Sequence, residues 1–101
     1  MEERRLLLED ETAERLAGIF KALSDPTRVQ IIAALIEGEH CVSELAAGLA
    51  VSQSAVSHQL RSLREMRLVR STREGRHVRY ALDDAHIADL FLQAWEHVRH
   101  E

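Results

Sequence analysis

Two β-prone stretches stand side by side in a chain whose remaining apolar residues recur at helical spacing. Leu68 to Arg73 and His77 to Leu82 are joined by Glu74-Gly75-Arg76, a short glycine-centred break that reads as a hairpin. A single hairpin is marginal alone in water and needs helices to pack against. The chain supplies them on both sides of it.

Leu16, Ile19, Phe20 and Leu23 place a helix over about residues 12–23. Ser24-Asp25-Pro26 stops it and starts another, because proline suits the first turn of a helix. That second helix covers about 26–37, with Val29, Ile32, Ala33 and Ile36 on one face and Gly38 as its terminator. His40-Cys41-Val42-Ser43-Glu44-Leu45 is expected to open a short helix ending near Gly48. Ser52 is the natural N-cap of the next, about 53–66, whose Val56, Leu60 and Leu63 form a buried stripe. After the hairpin, Asp83-Asp84 caps a helix over 85–100 with Ile87, Leu90, Phe91, Ala94 and Val98 along one side. The expected order is α-α-α-α-β-β-α, a mainly α winged helix-turn-helix, with residues 1–101 as one domain.

The chain's 101 residues include one cysteine, so no internal disulfide can form, which points to a reducing compartment. No run approaches the 18 or so apolar residues of a membrane span, and no membrane partner is expected. Met1-Glu2-Glu3-Arg4-Arg5 lacks the apolar stretch of a signal peptide. The expected location is the cytoplasm.

Charge is segregated. Although the whole chain carries −4, residues 52–82 hold seven arginines against only Glu65 and Glu74. An acidic protein with one basic block suits one face offered to a polyanion. The block coincides with two short helices joined by a small turn, the geometry that lays a second helix in the DNA major groove. On that helix Gln53, Ser54, Ser57, His58 and Arg61 are the candidate DNA-reading residues, since Gln and Arg pair with base edges and Ser with base or phosphate. The hairpin adds Arg70, Arg73, Arg76, His77 and Arg79 as a basic wing, suited to a backbone or a minor groove.

Three segments then make the chain recognisable: ALSDPTR at 22–28, SQSAVSHQLRSLR at 52–64 and GRHVRYALDD at 75–84. With them, residues 17–101 closely resemble the ArsR/SmtB family of winged-helix, metal-responsive repressors. The resemblance implies a homodimer paired through its first and last helices. It also implies binding to an imperfect inverted repeat in operator DNA, and control of metal efflux or sequestration genes.

The last helix carries a second pattern, Asp84-x-His86 followed by His97-x-x-His100. His86 and His97 lie 11 residues apart, a rotation of about 1,100°, so they share nearly one face. They are also about 16 Å apart along the axis, too far to hold one ion. An antiparallel pair of these helices from two subunits solves this. Asp84 and His86 of one then face His97 and His100 of the other, giving two symmetric sites of three imidazoles and one carboxylate. Such a set suits tetrahedral Zn(II), with Co(II) a natural mimic and Ni(II) a further candidate. The resemblance implies the same four ligands, because they match the family's last-helix zinc pattern position by position. Glu101 is a candidate extra ligand.

The family's cysteine-pair site is incomplete here: Cys41-Val42-Ser43 lacks the second thiolate, which disfavours soft ions such as cadmium, lead or arsenite. Cys41 reads instead as a half-buried structural thiol. A regulator that senses no metal, with Cys41 as redox switch, is the rival within the same fold. An enzyme is not expected, since the metal shell is full and no nucleophile–base set or phosphate-binding glycine loop is present. The resemblance further implies an apo dimer that binds operator and is released by metal. His97 would signal through its second ring nitrogen to the backbone at Met66-Arg67, after the recognition helix.

Overall fold

A computed structural model describes residues 7–100. The order is α1 (Asp10–Ala22), α2 (Pro26–Glu37), β1 (His40–Cys41), α3 (Val42–Leu49), α4 (Gln53–Glu65), β2 (Val69–Glu74), β3 (His77–Leu82) and α5 (Ala85–Arg99). The described residues thus form five helices and one small antiparallel sheet with strand order β1-β3-β2. The expected helices and hairpin all form.

The caps explain most of the boundaries. Asp25 accepts a hydrogen bond from the Arg28 backbone N–H (3.0 Å), with Pro26 at the start of α2. Ser52 accepts from Ala55 N–H (3.1 Å) at α4, and Asp84 from His86 N–H (2.8 Å) at α5. Each satisfies a backbone donor that the first helical turn leaves without a partner.

Two details differ from the sequence expectation. His40 and Cys41 are not helical: they pair with Tyr80 and Arg79 of β3 as a third strand. Two residues show no periodicity of their own, so only the neighbouring strand reveals this one. α3 ends near Gly48 as expected, running to Leu49 and closing on Ala50 in the left-handed region, φ 58°. β2 extends one residue further than expected, to Glu74, which faces His77 and leaves only Gly75 and Arg76 to turn the chain. Gly75 takes φ 63°, the conformation such a turn asks of its first residue and glycine adopts without strain.

The core is built by α2, α3, α4 and the hairpin. Ile31 and Ile32 of α2, Leu45 of α3, Val56, Leu60 and Leu63 of α4, and Leu68 and Val69 at the start of the hairpin are buried together. Fixing α4 by its apolar stripe turns its polar side outward. The outer helices take little part. Ala22 is the only fully buried residue of α1, and α5 has none in its 15 residues. Phe20, Leu90, Trp95 and Val98 are instead exposed and line, with Phe91, Leu23 and Val29, a groove of about 570 Å³ between α1, α2 and α5. No helix among the described residues is long and apolar enough to cross a membrane.

Candidate functional site

The polar side of α4 is presented as its sequence suggests. Gln53, Ser54, His58 and Arg61 are exposed and Ser57 is half-buried. Ser54 Oγ sits 3.3 Å from the capping Ser52 Oγ. α3 and α4 meet across the three residues Ala50, Val51 and Ser52, where Val51 N–H donates to the Ala46 carbonyl (3.2 Å) and tightens the turn.

The wing tip gathers Arg73, Arg76 and His77, all exposed. Strand register puts Arg73 opposite Val78 and Glu74 opposite His77. Because successive side chains alternate, Arg73 and His77 lie on opposite faces of the ribbon, with Arg76 between them at the turn. Two other arginines of the basic block are already engaged within the chain. Arg79 donates to the Glu39 carbonyl (3.1 Å) and lies 3.6 Å from the Glu39 carboxylate and 3.8 Å from that of Glu44, so it braces β3 against the start of α3. Arg64 donates to Ser71 Oγ (2.9 Å) and ties the end of α4 to β2. Sequence counts both as cations, and only their neighbours reveal them as struts.

Glu44 is the hub of the α3 start. Its carboxylate accepts from the Cys41 backbone N–H (3.0 Å) and lies 3.4 Å from His40 Nδ1. That backbone hydrogen bond, with smaller help from His40 and Arg79, holds the Glu44 carboxyl below its ordinary value. Cys41 is half-buried, its Sγ 3.2 Å from Ser43 Oγ.

On α5 the four metal-candidate residues sit at its two ends. Asp84 and His86 are adjacent at the N-terminus, with Oδ1 3.3 Å from Nδ1, and the imidazole is 91% exposed. Desolvation raises the Asp84 carboxyl, but hydrogen bonds from the His86 side chain and backbone together outweigh it and leave the group below its ordinary value. At the other end His97 and His100 are exposed. His100 Nδ1 lies 2.9 Å from the Glu96 carbonyl and 3.5 Å from its carboxylate. When Nδ1 donates there, Nε2 keeps its lone pair for a metal. Among the described residues, no three His, Cys, Asp or Glu side chains of one chain converge as a metal site. No hydrogen bond joins His97 to the Met66–Arg67 backbone, where Arg67 adopts φ 61°. Glu101 lies outside the described residues.

A helix pair with its polar face outward, followed by a hairpin tipped with cations, defines a winged helix-turn-helix DNA-binding protein. Comparison with known proteins places it more narrowly. Residues 25–71 match the bacterial regulatory protein, arsR family, and the chain belongs to that family. It is 47% identical over 87 residues to the "Transcriptional repressor SmtB homolog" of Synechocystis sp., covering 86% of this chain and 66% of that protein, a little under two thirds of its length. It is 42% identical over 85 residues to the "Cadmium resistance transcriptional regulatory protein CadC homolog" of Staphylococcus aureus, covering 83% and 70%. Its fold matches the homodimeric winged helix-turn-helix DNA-binding domain of Mb0332 from Mycobacterium bovis, with TM-score 0.80, 29% identity and 96% of each chain covered. These relatives are transcriptional regulators, not enzymes.

Proposed function

We propose that this chain is a cytoplasmic, metal-responsive repressor that binds operator DNA as a homodimer and releases it when Zn(II) occupies sites between the two last helices. Co(II) and Ni(II) are the other candidate ions. The observation that carries the reading is the layout of α5. Asp84 and His86 are exposed at one end, His97 and His100 at the other, and an unburied apolar groove runs beside them.

One chain cannot bring the two ends together, because about 16 Å of helix separates His86 from His97. Two antiparallel copies can, and the same pairing would cover the groove. The donor set fits. Asp84 and His86 are already neighbours, and the Glu96 carbonyl can hold His100 in the tautomer that frees Nε2. Three nitrogens and one oxygen match a borderline divalent ion. The cadmium association in one relative's name concerns that relative; here the lone Cys41 offers no thiolate pair.

Gln53, Ser54, Ser57, His58 and Arg61 would read each half of an inverted repeat, with Arg73, Arg76 and His77 on the backbone or minor groove. His97 would act on the Met66–Arg67 segment after α4 and so on the spacing of the two reading helices. Coupling is reciprocal: an ion that weakens operator binding is itself bound more weakly on operator, commonly by about 5- to 150-fold.

Titrating the reduced protein with Co(II) tests the site. Intense visible d–d bands saturating at one ion per chain, displaced by Zn(II) and absent in His86→Ala, are the expected result. A protein that acquires no such bands with Co(II) and binds no Zn(II) by calorimetry would overturn the metal reading.

A further inference from the structure

Arg28 is the third residue of α2, a poor place for a cation, because the N-terminal end of a helix carries partial positive charge. Its side chain does not turn to solvent or to a carboxylate. It reaches across to α4, where Nε donates to Gln59 Oε1 and Nη2 to Ser62 Oγ (3.1 Å), and all three residues are half-buried. The base of the side chain is pinned as well, since Asp25 caps the Arg28 N–H itself and Pro26 fixes the first turn. The Asp25-Pro26-Thr27-Arg28 segment therefore holds one guanidinium at a set place against the reading helix.

Gln59 and Ser62 are three residues apart, so the fork grips α4 at two points about one turn apart. Two points resist both rotation and sliding. Each gripped residue directly follows a candidate base-reading one, Gln59 after His58 and Ser62 after Arg61. Rolling α4 by a small angle would carry His58 and Arg61 off the base edges while leaving the apolar stripe in the core. α2 also lines the groove beside α5 through Val29, Gln30 and Ala33, so one rigid helix touches both the groove and, through Arg28, the reading helix.

We propose that Arg28 is a positioning residue that sets the rotation of α4 and thereby the sequence specificity of DNA binding. The proposal rests on α4 being the helix that reads DNA, and it is independent of the metal reading. The planar fork matters more than the charge, because only a guanidinium reaches both oxygens in one plane.

The test uses a duplex enriched from a random-sequence pool by the wild-type protein, with a scrambled duplex as control. Arg28→Ala is expected to bind the enriched duplex about tenfold more weakly, the loss of one or two charge-assisted hydrogen bonds. Binding to the scrambled duplex and the salt dependence should stay as in the wild type. Arg28→Lys should lose nearly as much as Arg28→Ala. The Gln59→Ala/Ser62→Ala variant should reproduce the loss, and adding Arg28→Ala to it should cost nothing further. That double variant also keeps the test alive should Arg28→Ala fail to fold. A uniform loss on both duplexes, with the salt slope reduced by about one and Arg28→Lys restoring affinity, would make Arg28 a phosphate contact and overturn the proposal. Additive losses, or none, would overturn it equally. If the wild type enriches no duplex, the DNA reading of α4 fails first, and the proposal with it.

Discussion

Glu44 answers three groups at once, the Cys41 N–H, His40 and Arg79, and so joins the start of α3 to strand β3. Its carboxyl titrates below the ordinary glutamate value. A depressed folded value means that the ionised form stabilises the native state. The contribution is present above the unfolded glutamate pKa and disappears as pH falls through the folded one. Glu44→Gln should therefore lower the thermal midpoint at neutral pH, and the gap to wild type should narrow and close as acid titrates the folded carboxylate. A gap that persists unchanged in acid would show that the carboxylate charge is irrelevant. At this scale the caps were legible in the sequence, because Asp25, Ser52 and Asp84 act on backbone groups two or three residues away. Arg28, Arg64 and Arg79 were not. Arg28 and Arg79 find their partners 31 to 40 residues away, at distances only the folded chain defines. Arg64 reaches across seven residues, from helix to strand.

The elements themselves are where the amino-acid pattern speaks most clearly. Period-3.6 stripes mark four of the five helices, all but the short α3, and the change to β-prone residues at Leu68 marks the hairpin. β1 escaped because two residues borrow their strand character from β3. The α3–α4 turn falls between Gly48 and Ser52 as the sequence suggests; what the sequence does not show is that Ala50, rather than a glycine, takes the left-handed conformation there, φ 58°. A left-handed L-residue costs about 1–2 kcal/mol, and glycine gives back part of that relief through its freer unfolded chain. Ala50→Gly should thus stabilise the protein by about 0.5–1 kcal/mol, read as a higher urea midpoint with unchanged slope. The exposed position of Ala50 leaves no packing to lose. A lower midpoint would mean that the turn is held by something other than this backbone conformation. For the candidate metal residues, helix spacing gave their placement at opposite ends of α5, whereas the hydrogen bond from His100 to Glu96 became visible only in three dimensions.

At the scale of the whole molecule the chain is too extended for its length. Its Cα radius of gyration is 15.9 Å, whereas a compact chain of this size is expected near about 13 Å. Ile19 of α1 and Ile87 and Phe91 of α5 pack against the core, but much of the apolar surface of these two helices stays uncovered. Phe20 is 57% exposed, Trp95 51% and Val98 61%. Each large apolar side chain moved from water to a packed interface contributes about 1.5–3 kcal/mol, so a partner copy over this groove would be held firmly. A charge placed in the groove should undo that pairing while sparing the core built by α2, α3 and α4. Phe20→Glu is expected to sediment near the 11.5 kDa of a single chain, and the wild type near twice that mass. Its helical circular dichroism should stay close to wild type, because Phe20 is not part of the buried cluster. The decisive reading is metal binding. Phe20→Glu keeps Asp84, His86, His97 and His100, yet its Co(II) bands should fade, since each site would need ligands from both chains. A monomeric variant that still develops full bands would place the site within one chain and end the two-chain scheme.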